Sequence, residues 1–175
     1  MPSDEQGAAK AAPRGGGGGR LRAAVMDGAA SLFPGYFALV MATGVVSMAC
    51  DLNGLRPVAL VLVAVNWVAW PLLWALTILR ALRFRGRLLE DVSDHRRAPG
   101  FFTIVAGTCV LGTQNVVVLG AVGIGEALWW LGLILWFGIM YTFFTAVTVR
   151  RRKPSLARGI NGAWLIAAVA TQAVV

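Results

Sequence analysis

No Asp, Glu, His, Lys or Arg falls within five apolar stretches of this 175-residue chain, residues 33–50, 57–79, 100–122, 127–148 and 159–175. A proton relay of titratable groups through those stretches is thereby excluded. His95 is the one histidine, so bis-histidine haem ligation is out of reach. Cys50 and Cys109, the two cysteines, lie in different stretches with no CxxC and no neighbouring histidine. That excludes a disulfide framework and a zinc site. No nucleophile, base and metal-ligand set occurs at a recognisable spacing, so neither enzymatic activity nor a cofactor is expected.

What the chain has instead is length of apolar run. A helix crosses the roughly 30 Å hydrocarbon layer with about 20 apolar residues. Four stretches meet that length, and the fifth runs to the last residue. Fifteen of the sixteen Lys and Arg residues sit in three segments between them: Lys10, Arg14, Arg20 and Arg22; Arg80 to Arg97; and Arg150 to Arg158. Basic loops stay on the cytoplasmic side, so the N-terminus is expected inside a cell membrane crossed several times, with odd-numbered spans running outward. Arg56 alone falls in an outer connection; residues 51–56 and 123–126 read as those two short connections.

With 58% hydrophobic residues and a mean hydropathy of +0.71, this is an all-α integral membrane protein. The net charge of +8 would point to nucleic acid in a soluble chain; here the basic residues are used as anchors beside anionic headgroups, and no nucleic-acid partner is expected. Residues 1–32 are rich in Gly, Ala and Pro, with five consecutive glycines at Gly15 to Gly19, and read as a disordered cytoplasmic tail ahead of a transmembrane domain at 33–175. A signal peptide fits poorly, because the first apolar stretch is span-length and lacks an A-x-A site.

The spans differ in chemistry. Six of the seven tryptophans lie on the second and fourth, at Trp67, Trp70, Trp74, Trp129, Trp130 and Trp136, where they read as a lipid-facing set. Odd spans carry small, hydroxyl and amide residues and read as an inner layer. Their candidates for lining a path are Thr43, Gly44 and Ser47 on the first, Thr103, Gly107 and Gln114 on the third, and Asn161 and Gln172 on the fifth. At 100° per residue Thr103, Gly107 and Gln114 share one stripe. Thr113-Gln114-Asn115-Val116-Val117 matches Thr171-Gln172-Ala173-Val174-Val175, with a weaker echo at Ala42-Thr43-Gly44-Val45-Val46, as helical-hairpin repeats would produce.

The small residues and Thr read first as close helix packing, as in many membrane bundles, ahead of a path-lining role. For Gln114 and Gln172, packing and a water-facing or ligand-facing role stand side by side. Asn66, alone on the second span, reads as an interhelical hydrogen-bond group, and Pro71 as a kink. The mixed-charge run Glu90, Asp91, Asp94, His95, Arg96, Arg97 reads as a solvated, salt-bridged surface. A neutral path fits passive conduction of small solutes.

Three local segments carry a family resemblance: Phe33-Pro34-Gly35-Tyr36-Phe37-Ala38-Leu39-Val40-Met41-Ala42-Thr43-Gly44, then Pro99-Gly100-Phe101-Phe102-Thr103, then Asn161-Gly162-Ala163-Trp164-Leu165 with Thr171-Gln172. Over residues 32–175 the chain resembles the tellurite-resistance and dicarboxylate transporter family, which includes the slow anion channels of plant guard cells. That resemblance implies ten helices in five hairpins around a central pore lined by odd helices, and a homotrimer. It also implies permeation of anions such as malate, chloride or nitrate, or export linked to tellurite resistance, with a gate on the ninth helix. On this reading the five spans are half of the bundle, and these residues conduct only when a complementary C-terminal half completes it. The alternative is a non-transporting membrane subunit or inactive fragment that packs against a partner.

Overall fold

The computed structural model describes Gly28, residues 33–83, Gly86, Asp91, residues 97–149 and residues 162–175. The tail expected at 1–32 (Gly28 apart), Asn161 and most of the two long basic connections lie outside the described residues. All regular structure among the described residues is helical: α1 (Ala38–Leu52), α2 (Arg56–Arg83), α3 (Phe102–Leu119), α4 (Val122–Val149) and α5 (Leu165–Val174). Four helical segments, from Pro34, Arg56, Ala98 and Val122, are long and apolar enough to cross a membrane, and α5 is a shorter apolar helix.

Each odd helix is entered through a 3-10 turn: Pro34–Phe37, Ala98–Phe101 and Gly162–Trp164. Proline suits the first two because an early helical N–H has no intrahelical acceptor to lose. The first turn touches the second, and the second the third, so the three odd helices begin side by side at one end. At the other end two short reversals close the hairpins. Gly54 (φ 78°) turns α1 into α2, and Gly120 (φ 67°) ends α3. The Gly120 and Ala121 N–H groups bond the Val116 and Asn115 carbonyls, satisfying the last turn of α3 in the left-handed cap that glycine adopts without strain. Helix α4 then starts at once, at Val122. Residues 123–126, read from the sequence as a connection, are therefore helical.

Helix α3 is the centre of the assembly. It packs against α1, α4 and α5 and less closely against α2; α2 backs α1, and α4 backs both α3 and α5. In its most apolar window 72% of α3 is buried, against 22%, 22% and 17% for the spans from Pro34, Arg56 and Val122. The odd helices thus form one row with α3 in the middle, and the even helices stand behind it. Backbone contact explains the small residues in that row. A side chain at Gly107 would meet the Phe37 carbonyl at 3.0 Å, and one at Gly112 would meet the Gly125 carbonyl at 3.2 Å. Such approach maximises dispersion contact, which replaces hydrophobic burial as the force between helices in lipid.

Candidate functional site

The deepest polar contact joins three helices. Asn66 on α2 donates from Nδ2 to the Val40 carbonyl of α1 (3.0 Å) and to Gln114 Oε1 of α3 (2.8 Å), and both amide side chains are wholly buried. Asn66 is thus an interhelical hydrogen-bond group, as its isolation on an apolar span implies. Gly44 of α1 borders the pair: a Cβ there would lie 3.4 Å from Asn66 Nδ2 and 3.6 Å from Gln114 Oε1.

The tryptophans divide: Trp67, Trp129 and Trp130 are exposed, as a lipid-facing set would be, yet four of the six bond across helix contacts. Trp67 donates its indole N–H to Asn115 Oδ1, and Trp70 donates to Thr108 Oγ1, both across the α2–α3 contact at 3.1 Å. Trp136 of α4 repeats the device with Thr171 of α5 at 3.1 Å, and Trp129 donates to the Val174 carbonyl at 2.9 Å. Each acceptor hydroxyl or amide also donates to a carbonyl one turn back in its own helix, at Ile104, Leu111 or Ala167. An indole N–H in hydrocarbon has no water to bond, so an acceptor on the neighbouring helix decides which way the ring turns. The signal was in the sequence, as Thr and Asn on odd spans opposite Trp on even ones. Pairing it required the register.

The candidate lining residues fall into two groups. Gly44, Ser47, Thr103, Gly107 and Gln114 are buried between helices. Ser47 donates to the Ala59 carbonyl of α2 (2.9 Å), and Thr103 lies 3.0 Å from the Pro34 carbonyl and 2.7 Å from its own Gly100 carbonyl. Thr43 is half-buried and Gln172 exposed. The exposed residues of α3 are Thr113, Val116, Val117 and Leu119, with Val110 half-buried; of these Val110, Thr113 and Val117 form one stripe, spaced three and four residues apart. Asn115 and Thr108, bonded to α2, lie about half a turn away from it. Sequence reading passed over this stripe because two of its three members are valines.

A charged cluster closes the end where the odd helices begin. Helix α2 runs on to Arg83, which brings Arg80 within the helix, where it pairs with Asp91; Arg97 pairs with the same carboxylate at 2.8 Å. The side chains of Arg80 and Asp91 are each 4% exposed, so at Asp91 the expected salt-bridged surface is a buried ion pair with a half-exposed third member, Arg97; Glu90, Asp94, His95 and Arg96 lie outside the described residues. Two guanidinium groups on one carboxylate leave the trio net positive. Arg97 also stacks over the Phe33 ring, 5.6 Å from its centroid, tying the entries of α1 and α3 to the end of α2. At the opposite end Arg56 binds Asp51 (3.1 Å) and the Val118 carbonyl (3.0 Å), capping the negative end of α3.

Parallel odd helices, charge-free through the row and bordered by cations at their N-terminal end, are an arrangement suited to anions. The family model that describes voltage-dependent anion channels, SLAC1, matches residues 31–175. The chain belongs to that family. No curated protein and no solved structure matches it. Membership makes the chain one of a family of anion channels and a multi-pass membrane protein, in keeping with the slow-anion-channel resemblance of its sequence. The match takes in all three odd helices and the Arg80, Asp91 and Arg97 cluster.

Proposed function

We propose that the row of odd helices forms one wall of a neutral path for small anions, entered from the cytoplasm beside the Arg80, Asp91 and Arg97 cluster. The observation that carries this is the gathering of three parallel helix starts at one end. Each N-terminus contributes about half a positive charge, and the net-positive trio beside them adds to it. Beyond that mouth an anion meets hydroxyl, small and apolar groups with no fixed charge to trap it, which suits conduction over tight binding.

On this reading Val110, Thr113 and Val117 face the path. Gly44, Ser47, Thr103, Gly107 and Gln114 hold the wall together, and Thr43 and Gln172 border its accessible edges. Asn161, by its place in the sequence, precedes the third helix start. The reading suits the ten-helix, trimeric bundle that the family resemblance implies, in a cell membrane with its N-terminus inside. Chloride, nitrate and malate are the anions to try first. The protein expressed from its native gene and reconstituted in liposomes is expected to pass anions, with flux reduced several-fold by Thr113→Trp and little changed by Trp130→Leu. Equal effects of the two substitutions, or flux of cations alone, would refute the assignment.

A further inference from the structure

Between α4 and the turn that leads into α3 runs an open apolar groove of about 390 Å³, bordered by Ala98 and Phe101 on the turn and by Ile134, Gly138, Thr142 and Phe143 on α4. The Thr142 hydroxyl leaves no unmet polar group there, because it donates to the Gly138 carbonyl of its own helix (2.7 Å). Nothing lies within 4 Å of where a Gly138 side chain would begin, so that part of the floor is bare backbone. Along α4 the stretch from Ile134 to Phe143 measures about 14 Å at about 1.5 Å per residue, close to half of the roughly 30 Å hydrocarbon layer. It occupies the half of the helix nearer Val149, the end at which the odd helices begin. Phe101 stands nine positions before Val110, about half a turn around the axis, so the groove opens away from the stripe assigned to the anion path.

We propose that this groove seats one acyl chain of an anionic phospholipid, with the headgroup phosphate on Arg97. The groove ends at Ala98, the residue after Arg97, which sets the headgroup at the level of the Arg80, Asp91 and Arg97 cluster. Arg97 is 40% exposed and gives Asp91 one N–H, leaving the rest of its fork for phosphate oxygens. Arg83, exposed on the last turn of α2, adds to the positive charge at this level. Asp91 is 4% exposed and bound to two guanidinium groups, so it is closed to the ammonium of a zwitterionic headgroup. That selects an anionic lipid, the kind that basic residues at a membrane surface attract. The shape selects a chain over a helix: about 390 Å³ spread along the groove is too slender for a helix, about 10 Å across. The inference is independent of the path for anions, since a lipid behind the wall needs no conduction.

Native mass spectrometry of the protein in detergent tests this, with phosphatidylglycerol and phosphatidylcholine of identical acyl chains as the probes. The unaltered protein is expected to retain phosphatidylglycerol several-fold more than phosphatidylcholine. Gly138→Leu puts a side chain into the open floor and should lower that retention several-fold. Gly123→Leu, also in open space but at the other end of α4, should leave it unchanged. Monodisperse elution of each variant checks that it is folded, and the comparison of the two lipids on the unaltered protein stands without either variant. Equal retention of the two lipids would overturn the proposal. So would an equal loss in both variants, or a loss in neither, the result expected if a second copy or another helix covers the groove.

Discussion

Thr108, Asn115 and Thr171 each satisfy their own helix and still accept an indole N–H from the helix behind. A hydroxyl bonded to a carbonyl one turn back keeps a lone pair free, so one residue serves both purposes without leaving a buried group unmet. Trp70→Phe removes one such donor while keeping most of the ring. It is expected to lower stability in detergent by about 0.6 kcal/mol, the average for interhelical hydrogen bonds in membranes, and by no more than about 1.7 kcal/mol. An unfolding titration in mixed micelles measures it, and no change would mean that the bond contributes nothing net. Asn66→Leu is expected to cost more, about 1–3 kcal/mol, because it strands the Gln114 amide and fills the place of a polar group. Composition alone showed that these polar residues lie on odd spans. It did not show that the tryptophans turn to meet them, because a tryptophan at a lipid interface and one bonded across a helix contact look alike in a single sequence.

At the scale of the helix, the spans were legible because charge-free runs of this length have few other uses. Their ends were less so. Arg80 read as the start of a loop because charge usually marks the edge of a span, but a carboxylate from the following segment draws it into the last turns of α2. Asp91→Asn keeps the shape of that carboxylate and removes its charge, leaving buried Arg80 beside a neutral amide. Loss of about 3–5 kcal/mol is expected. The same change at Asp51, whose partner Arg56 is 60% exposed, should cost under about 1 kcal/mol. Equal losses at the two sites would contradict the burial of the Arg80 pair. Residues 123–126 read as a turn because two glycines and a glutamate sit there. Gly125 is instead the contact point of α4 on α3, where a Cβ would overlap Val116 Cγ2. Gly125→Leu is therefore expected to separate α4 from α3 and abolish a monodisperse elution profile, whereas Gly123→Leu, with open space around it, should not.

The whole molecule is a row of three helices backed by two, and the sequence carried the division between rows better than the geometry within them. Small and polar residues marked the odd helices, but α3 is central for a reason no single span displays: it alone has neighbours on every side but one. The basic segments predict an orientation that labelling can test. A cysteine at Gly123 should react with an impermeant maleimide added outside, and one at Gly86 only after permeabilisation, with Cys50 and Cys109 first replaced by alanine. The reverse pattern would invert the topology and place the Arg97 cluster outside.

The central claim is that the uncovered stripe of α3 borders a path that favours anions, and accessibility tests it most directly. In the same alanine background, cysteines at Val117 and at Trp130 are each exposed to a negatively charged and a positively charged thiosulfonate of similar size. The account predicts that Val117→Cys reacts in the membrane, several-fold faster with the anionic reagent, while Trp130→Cys, on an even helix, shows no such preference. A Val117→Cys thiol that stays unmodified, or that favours the cationic reagent, would contradict it.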